Sequence, residues 1–206
     1  MNGFILLIPF FLIRFGLLWY RDRESVRRAA HFAPMTGNEM AAYWLYQISN
    51  TAIIIYLCFL KVQIRFSGLF LAGTACYLLG LLLCAVSVIG FSSPSAEGLN
   101  TEGIYGFSRH PMYVSYFICF TGCALLTESW ILGGIILVFQ ISSHWVVLAE
   151  ERECEKRFGE DYRRYRKKVR RYIKGGSHGR IASGGSRSEG DMFKTEEKKP
   201  AKEKET

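Results

Sequence analysis

Four blocks of the chain contain no Asp, Glu, Lys or Arg: residues 40–60, 67–91, 111–127 and 129–149. A helix that crosses a bilayer needs ~20 mainly apolar residues, within a range of about 17–25. All four qualify, with 111–127 at the short limit. A fifth block, 3–20, has Arg14 as its only charge. Inside a bilayer the backbone must satisfy its own polar groups, so such blocks are helices. The expected fold is all-α: a multi-pass membrane protein with about five transmembrane helices. Block 3–20 lacks a basic n-region and an A-x-A-like site, and Arg14 interrupts it. It reads as a retained helix rather than a cleaved signal peptide.

Lys and Arg mark the cytoplasmic side of membrane helices. RDRESVRR at 21–28 follows the first block, and RRYRKKVRRYIK at 163–174 follows the last. With five spans both fall on one side, so the N-terminus is expected outside and the C-terminus in the cytoplasm. Lys61 and Arg65 count weakly against this. The link 92–110 then faces the cytoplasm too. Residues 150–174 hold 11 Lys or Arg against 6 Asp or Glu. Phe158, Tyr162, Tyr165, Val169 and Tyr172 recur there at spacings of three and four. That is an amphipathic helix, suited to an anionic leaflet or to packing on the loop 92–110. From 175 to 206 the composition turns to Gly, Ser, Lys and Glu and is expected to be disordered. The domain boundaries are therefore 1–174 for the membrane domain and 175–206 for the tail.

Five of the six cysteines lie inside apolar blocks and no CxxC pair occurs, which reads as small buried hydrophobes rather than a disulfide framework or a metal site. Cys154 stands among charges and reads as a solvated bystander.

Two segments carry chemistry. The first is EGLNTEGIYGFSRHPMY, residues 97–113. Its glycines permit tight turns, and Pro111 suits the first turn of a helix. The free N–H groups and dipole of that helix favour an anion, and Arg109 and His110 add donors beside it. An Arg snorkelling to headgroups next to an interfacial Tyr is the alternative. The second segment is HWVVLAEERE, residues 144–153. Glu150 and Glu151 fall where the last span leaves the membrane, an end whose dipole disfavours acids. Either Arg152, Lys156 or Arg157 compensates them, or a cationic ligand does. His144 is either simply hydrogen-bonded or lines a channel. Together the segments offer receptors for both signs of charge on one side of the membrane. S-adenosylmethionine and a zwitterionic phospholipid head both have that character.

GIYGFSRHPMY, then a helical hairpin, then EE and FGEDYRRYRKKVRR, resemble the isoprenylcysteine carboxyl methyltransferase family of integral membrane methyltransferases. Phospholipid methyltransferases and sterol-type reductases look like relatives. The family pattern is an RHPxY element, a Glu-Glu pair and an FGxxYxxY-type segment, here within about 97–173. The resemblance implies an S-adenosylmethionine pocket built from the last two spans and their flanks. Its cofactor contacts would be Glu97, Gly98, Leu99, Asn100, Tyr105, His110, Pro111, Met112, Tyr113 and Glu150. Arg109, His110 and Glu151 would be the catalytic groups. There are departures. Val146 stands where the eukaryotic prenylcysteine enzymes have an Arg that meets the substrate carboxylate, and Glu97 stands where they have a His.

On this reading Glu150 holds the cofactor ammonium, and His110 with the helix N-terminus holds its carboxylate. Tyr105 and Tyr113 pack on the adenosine or sulfonium. The acceptor is apolar or lipid-anchored and enters from the bilayer, so the expected partners are membrane lipids and that acceptor, not nucleic acid. Two rivals stay open. One is a nicotinamide-dependent sterol-type membrane reductase, although no GxGxxG occurs. The other is a non-catalytic membrane scaffold acting through its basic tail.

Overall fold

The computed structural model describes residues 1–21, 33–35, 37–93 and 98–172. Most of the basic stretch 21–28, Glu97 and the tail 175–206 lie outside the described residues.

Among the described residues five long helices follow in order: α1 Gly3–Arg21, α2 Asn38–Phe59, α3 Gly68–Ser92, α4 Pro111–Thr127 and α5 Trp130–Lys168. No strand occurs among the described residues. The start signals are local. Ser67 caps α3 by accepting from Phe70 N at 3.2 Å, and Ser129 caps α5 by accepting from Leu132 N at 3.2 Å. Pro111 occupies the first turn of α4, as expected. Between α4 and α5 the chain turns through Glu128, which takes a left-handed conformation with φ 49°.

The all-α membrane architecture holds, but the five spans do not all measure alike. Among the described residues α1, α3 and α5 are long and apolar enough to cross a membrane. α4 is apolar but has only 17 residues. α2 has 22 residues, with Glu39, Gln47 and Asn50 diluting its apolar character. α5 has 39 residues, about 58 Å at 1.5 Å per residue, twice what a bilayer core requires. Its uncharged part, 130–149, is the span, and the charged remainder projects beyond it.

α3 and α4 pack backbone to backbone through glycine. A Cβ on Gly80 would lie 2.4 Å from Cys119 N, and one on Gly122 2.5 Å from Tyr77 N. Small residues allow this approach, and close packing is what holds helices together in lipid. α2 lies against α5, with the Tyr46 and Phe139 rings stacked at 5.0 Å. α1 is tied to α3 where the Tyr77 hydroxyl donates to Leu6 O at 2.7 Å. Its N-terminus is pinned by Gly3 N donating to Leu60 O and Val62 N to Met1 O, each at 2.8 Å. In its middle, Leu12–Leu17, α1 widens to a π-helix that contains Arg14.

The expected amphipathic segment 151–173 is the continuation of α5, broken at Gly159, where φ is 53° and ψ −121°. Only a residue without a Cβ takes that conformation cheaply. Beyond the break Tyr162, Tyr165 and Val169 form a second small core with Leu99, Cys154 and Phe158. The segment thus packs its apolar face on the loop before α4, as one of the two readings of this stretch had it.

Candidate functional site

The loop 98–110, the start of α4 and the charged part of α5 converge on one cavity of about 560 Å³. Ligand pockets commonly fall between ~300 and 1,000 Å³. Gly98, Leu99, Asn100 and Tyr105 line it from the loop. Gly98 turns there with φ 81°. Arg109 and His110 line it from the junction, and Pro111, Met112 and Tyr113 from the first turn of α4. Glu150 faces it from α5. Every expected cofactor contact among the described residues therefore reaches one space.

Glu151 behaves differently. Consecutive helix residues point about 100° apart, so it turns away from the cavity and is buried at 5% exposure. Its Oε1 lies 3.2 Å from Arg109 Nη2 and 3.4 Å from His110 Nε2. Arg171 donates to both its oxygens, Nε to Oε1 at 2.9 Å and Nη2 to Oε2 at 2.8 Å. Burial alone would raise the Glu151 pKa, but the His110 and Arg171 hydrogen bonds and the Arg109 charge bring it down to about 2. Glu151 is an ionised anchor behind the cavity wall.

Glu150 Oε1 accepts from the Tyr113 hydroxyl at 2.6 Å, and its Oε2 lies 3.5 Å from His110 Nδ1. His110 thus stands between two carboxylates, its ring 6.1 Å from that of Tyr113. Burial works to lower its pKa, but hydrogen bonding and charge from Glu150 and Glu151 outweigh it and raise the value above 6.5. Compensation of the acids by Arg152, Lys156 or Arg157, one of the two readings, is not seen among the described residues. Arg152 pairs with Glu39 of α2 instead, Nη2 donating to Oε2 at 2.6 Å. The dipole argument also lapses, because α5 does not end at 150.

The helix start is less open to an anion than its sequence implies. Arg109 N donates to Arg170 O at 3.1 Å and His110 N to Arg171 O at 3.2 Å. Ser108 Oγ donates to the same Arg171 carbonyl at 3.2 Å, and the Tyr165 hydroxyl to Tyr105 O at 2.7 Å. The segment 162–172 is a strap fastened over the RHP turn. What remains available comes from side chains. Arg109 Nε and Nη1 and Asn100 Oδ1 are shut off from solvent without a hydrogen-bond partner, while His110 Nε2 faces Glu151 at 3.4 Å. Buried polar groups are normally partnered, so the unpaired atoms of Arg109 and Asn100, two residues of the cavity wall, are candidates to meet a polar ligand.

Three further residues of the sequence reading find their places. Cys154 is half-buried on the cavity wall rather than solvated, and burial first, then nearby carboxylates, pushes its thiol up to about 11. His144 pairs with the Tyr172 hydroxyl at 2.8 Å, away from the cavity. Val146 is sealed in the apolar core and does not reach the cavity. Sequence reasoning missed Arg14, Tyr46 and Tyr116 as cavity residues, and Arg171 as the third cation on Glu151. Arg14 had a signal, a single charge inside an apolar span. Arg171 had none, being one of many basic residues in 163–174.

Residues 66–161, which run from just before α3 to the residue before the strap, match the phospholipid methyltransferase family. The chain is 27% identical over 129 residues to a protein-S-isoprenylcysteine O-methyltransferase of Schizosaccharomyces pombe, covering 61% of this chain and 50% of that protein. It is 34% identical over 95 residues to the nickel-cobalt-cadmium resistance protein NccN of Alcaligenes xylosoxydans xylosoxydans, covering 45% of this chain and 43% of that one. The chain thus spans about half the length of these curated relatives. The resemblance drawn from the RHPMY, Glu-Glu and FGEDYRRY motifs is borne out, and it lies with the superfamily of isoprenylcysteine carboxyl methyltransferase-like and phospholipid methyltransferases.

Proposed function

We propose that the protein is an integral membrane methyltransferase that uses S-adenosylmethionine to methylate an apolar or lipid-anchored acceptor at the cytoplasmic face. One observation carries the reading. The cavity that presents the Glu150 carboxylate is also lined by Arg109 and Asn100, whose Nε, Nη1 and Oδ1 atoms have no hydrogen-bond partner. A ligand with a carboxylate, an ammonium and hydroxyls satisfies such a set, and the described residues fit it. When bound, the cofactor supplies a methyl group already activated by its sulfonium.

The protein's share is binding, positioning and exclusion of water. Arg109 would receive the cofactor carboxylate and Glu150 its ammonium, with His110 between Glu150 and Glu151 holding both in place. The Tyr113 hydroxyl fixes the Glu150 carboxylate, and the aromatic faces of Tyr105 and Tyr113 suit a cationic ligand. Glu151 is a positioning residue that holds Arg109 and His110 from behind, with Arg171 locking the strap over them. α1, α3 and the apolar part of α5 would place the cavity at a membrane boundary. The basic stretches at 21–28 and 163–174 favour the cytoplasmic side for it, with the N-terminus outside.

Calorimetry with S-adenosylmethionine and S-adenosylhomocysteine on the full chain in detergent tests the reading. Both are expected to bind wild type and to lose about tenfold or more with Glu150→Ala. Absence of heat with wild type, or equal binding by the variant, sinks it.

A further inference from the structure

The strap does not end over the cavity. Past Lys168, where α5 stops, its last residues run back to the membrane part of the bundle. The Tyr172 hydroxyl pairs with His144 Nδ1 at 2.8 Å, and the two rings lie 6.0 Å apart. Tyr172 packs on the large core that the membrane helices share, whereas Tyr162, Tyr165 and Val169 form the small one. His144 lies five residues inside Ala149, the last uncharged residue of the span. At 1.5 Å per residue that is about 8 Å. Its neighbour Trp145 is 46% exposed, as an aromatic anchor at a membrane–water boundary is. The end of the strap is therefore held at the level of the lipid headgroups. Three cations come with it. Lys167, Lys168 and Arg170 are exposed, and none of them forms an ion pair among the described residues. The acids of this helix are taken by the cations just before them: Glu155 and Glu160 by Arg163, Asp161 by Arg164, and Glu155 again by Arg166.

We propose that Lys167, Lys168 and Arg170 dock on anionic phospholipid headgroups, and that this contact holds the strap closed over the cavity. Only the membrane placement of α5 enters here, not the identity of the cavity's ligand. Basic side chains are drawn to an anionic leaflet, and in physiological salt the attraction fades within about 10 Å. The Tyr172–His144 contact brings the three cations within that range. The carbonyls of Arg170 and Arg171 accept from the N–H groups of Arg109 and His110, so a strap drawn to the membrane is drawn onto the RHP turn. The charge of the leaflet thereby sets how often the cavity wall opens. Headgroups fit these cations better than an acidic protein does, because the cations lie at the rim of the membrane bundle, where lipid is always present.

The test is amide hydrogen exchange on the full chain in lipid nanodiscs, read by mass spectrometry over residues 103–112 and 162–172. One disc holds phosphatidylcholine alone, and the other contains about 30% phosphatidylserine. The variant is Lys167→Gln/Lys168→Gln/Arg170→Gln, which leaves the carbonyls of Arg170 and Arg171 in place. Each cation near an anionic surface shifts an equilibrium by up to about fivefold. Wild type is therefore expected to exchange at least about tenfold more slowly in both segments in the anionic disc. That difference is expected to vanish in high salt. The triple variant is expected to exchange alike in the two discs. Equal exchange by wild type in the two discs overturns the proposal, and this comparison stands even where the variant fails to fold. So does a variant that keeps the wild-type slowing, which would pass the effect to the basic stretch 21–28. A slowing shared equally by the amides of α2 makes it a property of the bilayer and overturns the proposal as well.

Discussion

Arg171 and Glu151, twenty residues apart in the chain, are joined by two parallel hydrogen bonds of 2.9 and 2.8 Å. The pair closes the strap 162–172 over the turn that carries Arg109 and His110, and it decides how firmly that turn is held. Hydrogen bonds to charged groups contribute about 1.5–3 kcal/mol each when partly buried. Arg171→Ala is expected to cost about 2 kcal/mol of stability, read as a fall in the denaturation midpoint in detergent. Cofactor affinity should fall with it, because the two carbonyls that hold Arg109 N and His110 N lose their anchor. A variant as stable as wild type would show that the backbone pairing alone keeps the strap in place.

Removing the other partner is worse. Glu151→Gln leaves Arg109 and His110 buried beside a neutral group, and breaking a buried ion pair from one side costs about 3–5 kcal/mol. The His110 pKa should then fall, since one of the two carboxylates that raise it is gone. Carbon-13 NMR of labelled histidine follows that titration directly. An unmoved titration in Glu151→Gln would assign the shift to Glu150 alone.

The pH dependence of stability has two limbs. Glu151 has a folded pKa near 2, below the ordinary 4.5, so its contribution is present above about pH 4.5 and is lost as pH falls toward 2. His110 is raised above 6.5, so its contribution is present below that value and is lost as pH rises through the raised one. The denaturation midpoint should form a plateau between the limbs. His110→Gln should remove the alkaline decline and shrink the acid one, because His110 is among the groups that lower the Glu151 pKa, with Arg171 and Arg109 left to sustain the rest. Persistence of the same alkaline decline in that variant excludes His110 as its cause.

Tyr113→Phe deletes a hydroxyl that donates to Glu150 at 2.6 Å and leaves the ring in place. The loss is expected to be about 1–2 kcal/mol. It should appear more in cofactor affinity than in stability, because Glu150 faces the cavity. Calorimetry beside a thermal melt separates the two. A melt that drops while affinity holds would make the hydroxyl a folding contact.

Glycine content sorts sharply by position. A methyl at Gly80 or Gly122 meets the backbone of the opposing helix at 2.4–2.7 Å and must push α3 and α4 apart. Gly80→Ala and Gly122→Ala should each cost more than about 2 kcal/mol. Gly133→Ala on α5 meets nothing within 4 Å and should be neutral or slightly stabilising. Melting curves of the three variants check the contrast.

The helices were legible because absence of charge over 20 residues has few structural solutions. Block 111–127 matches α4 residue for residue, since Pro111 and Glu128 bound it chemically. The reach of α5 to Lys168 was not legible, because the change from apolar to charged composition marks where lipid ends and not where a helix does. The cavity contacts were readable from two motifs, yet the opposite roles of Glu150 and Glu151 were not. Those roles depend on which way α5 is rotated, and periodicity in a uniformly apolar span does not reveal that. Arg171 and the cavity position of Arg14 needed the tertiary arrangement, one as a choice among many cations and the other through the facing of α1.

The step from Glu150 to Glu151 also fixes a count. Ser129 sets where α5 begins, and from there each residue turns the helix by about 100°. One residue inserted or deleted between Ser129 and Glu150 would carry Glu150 off the cavity and bring a neighbour round in its place. The membrane span is therefore a ruler as well as an anchor: even a change of about seven residues, which restores the facing, would carry Glu150 about 10 Å along the axis from Tyr113 and His110.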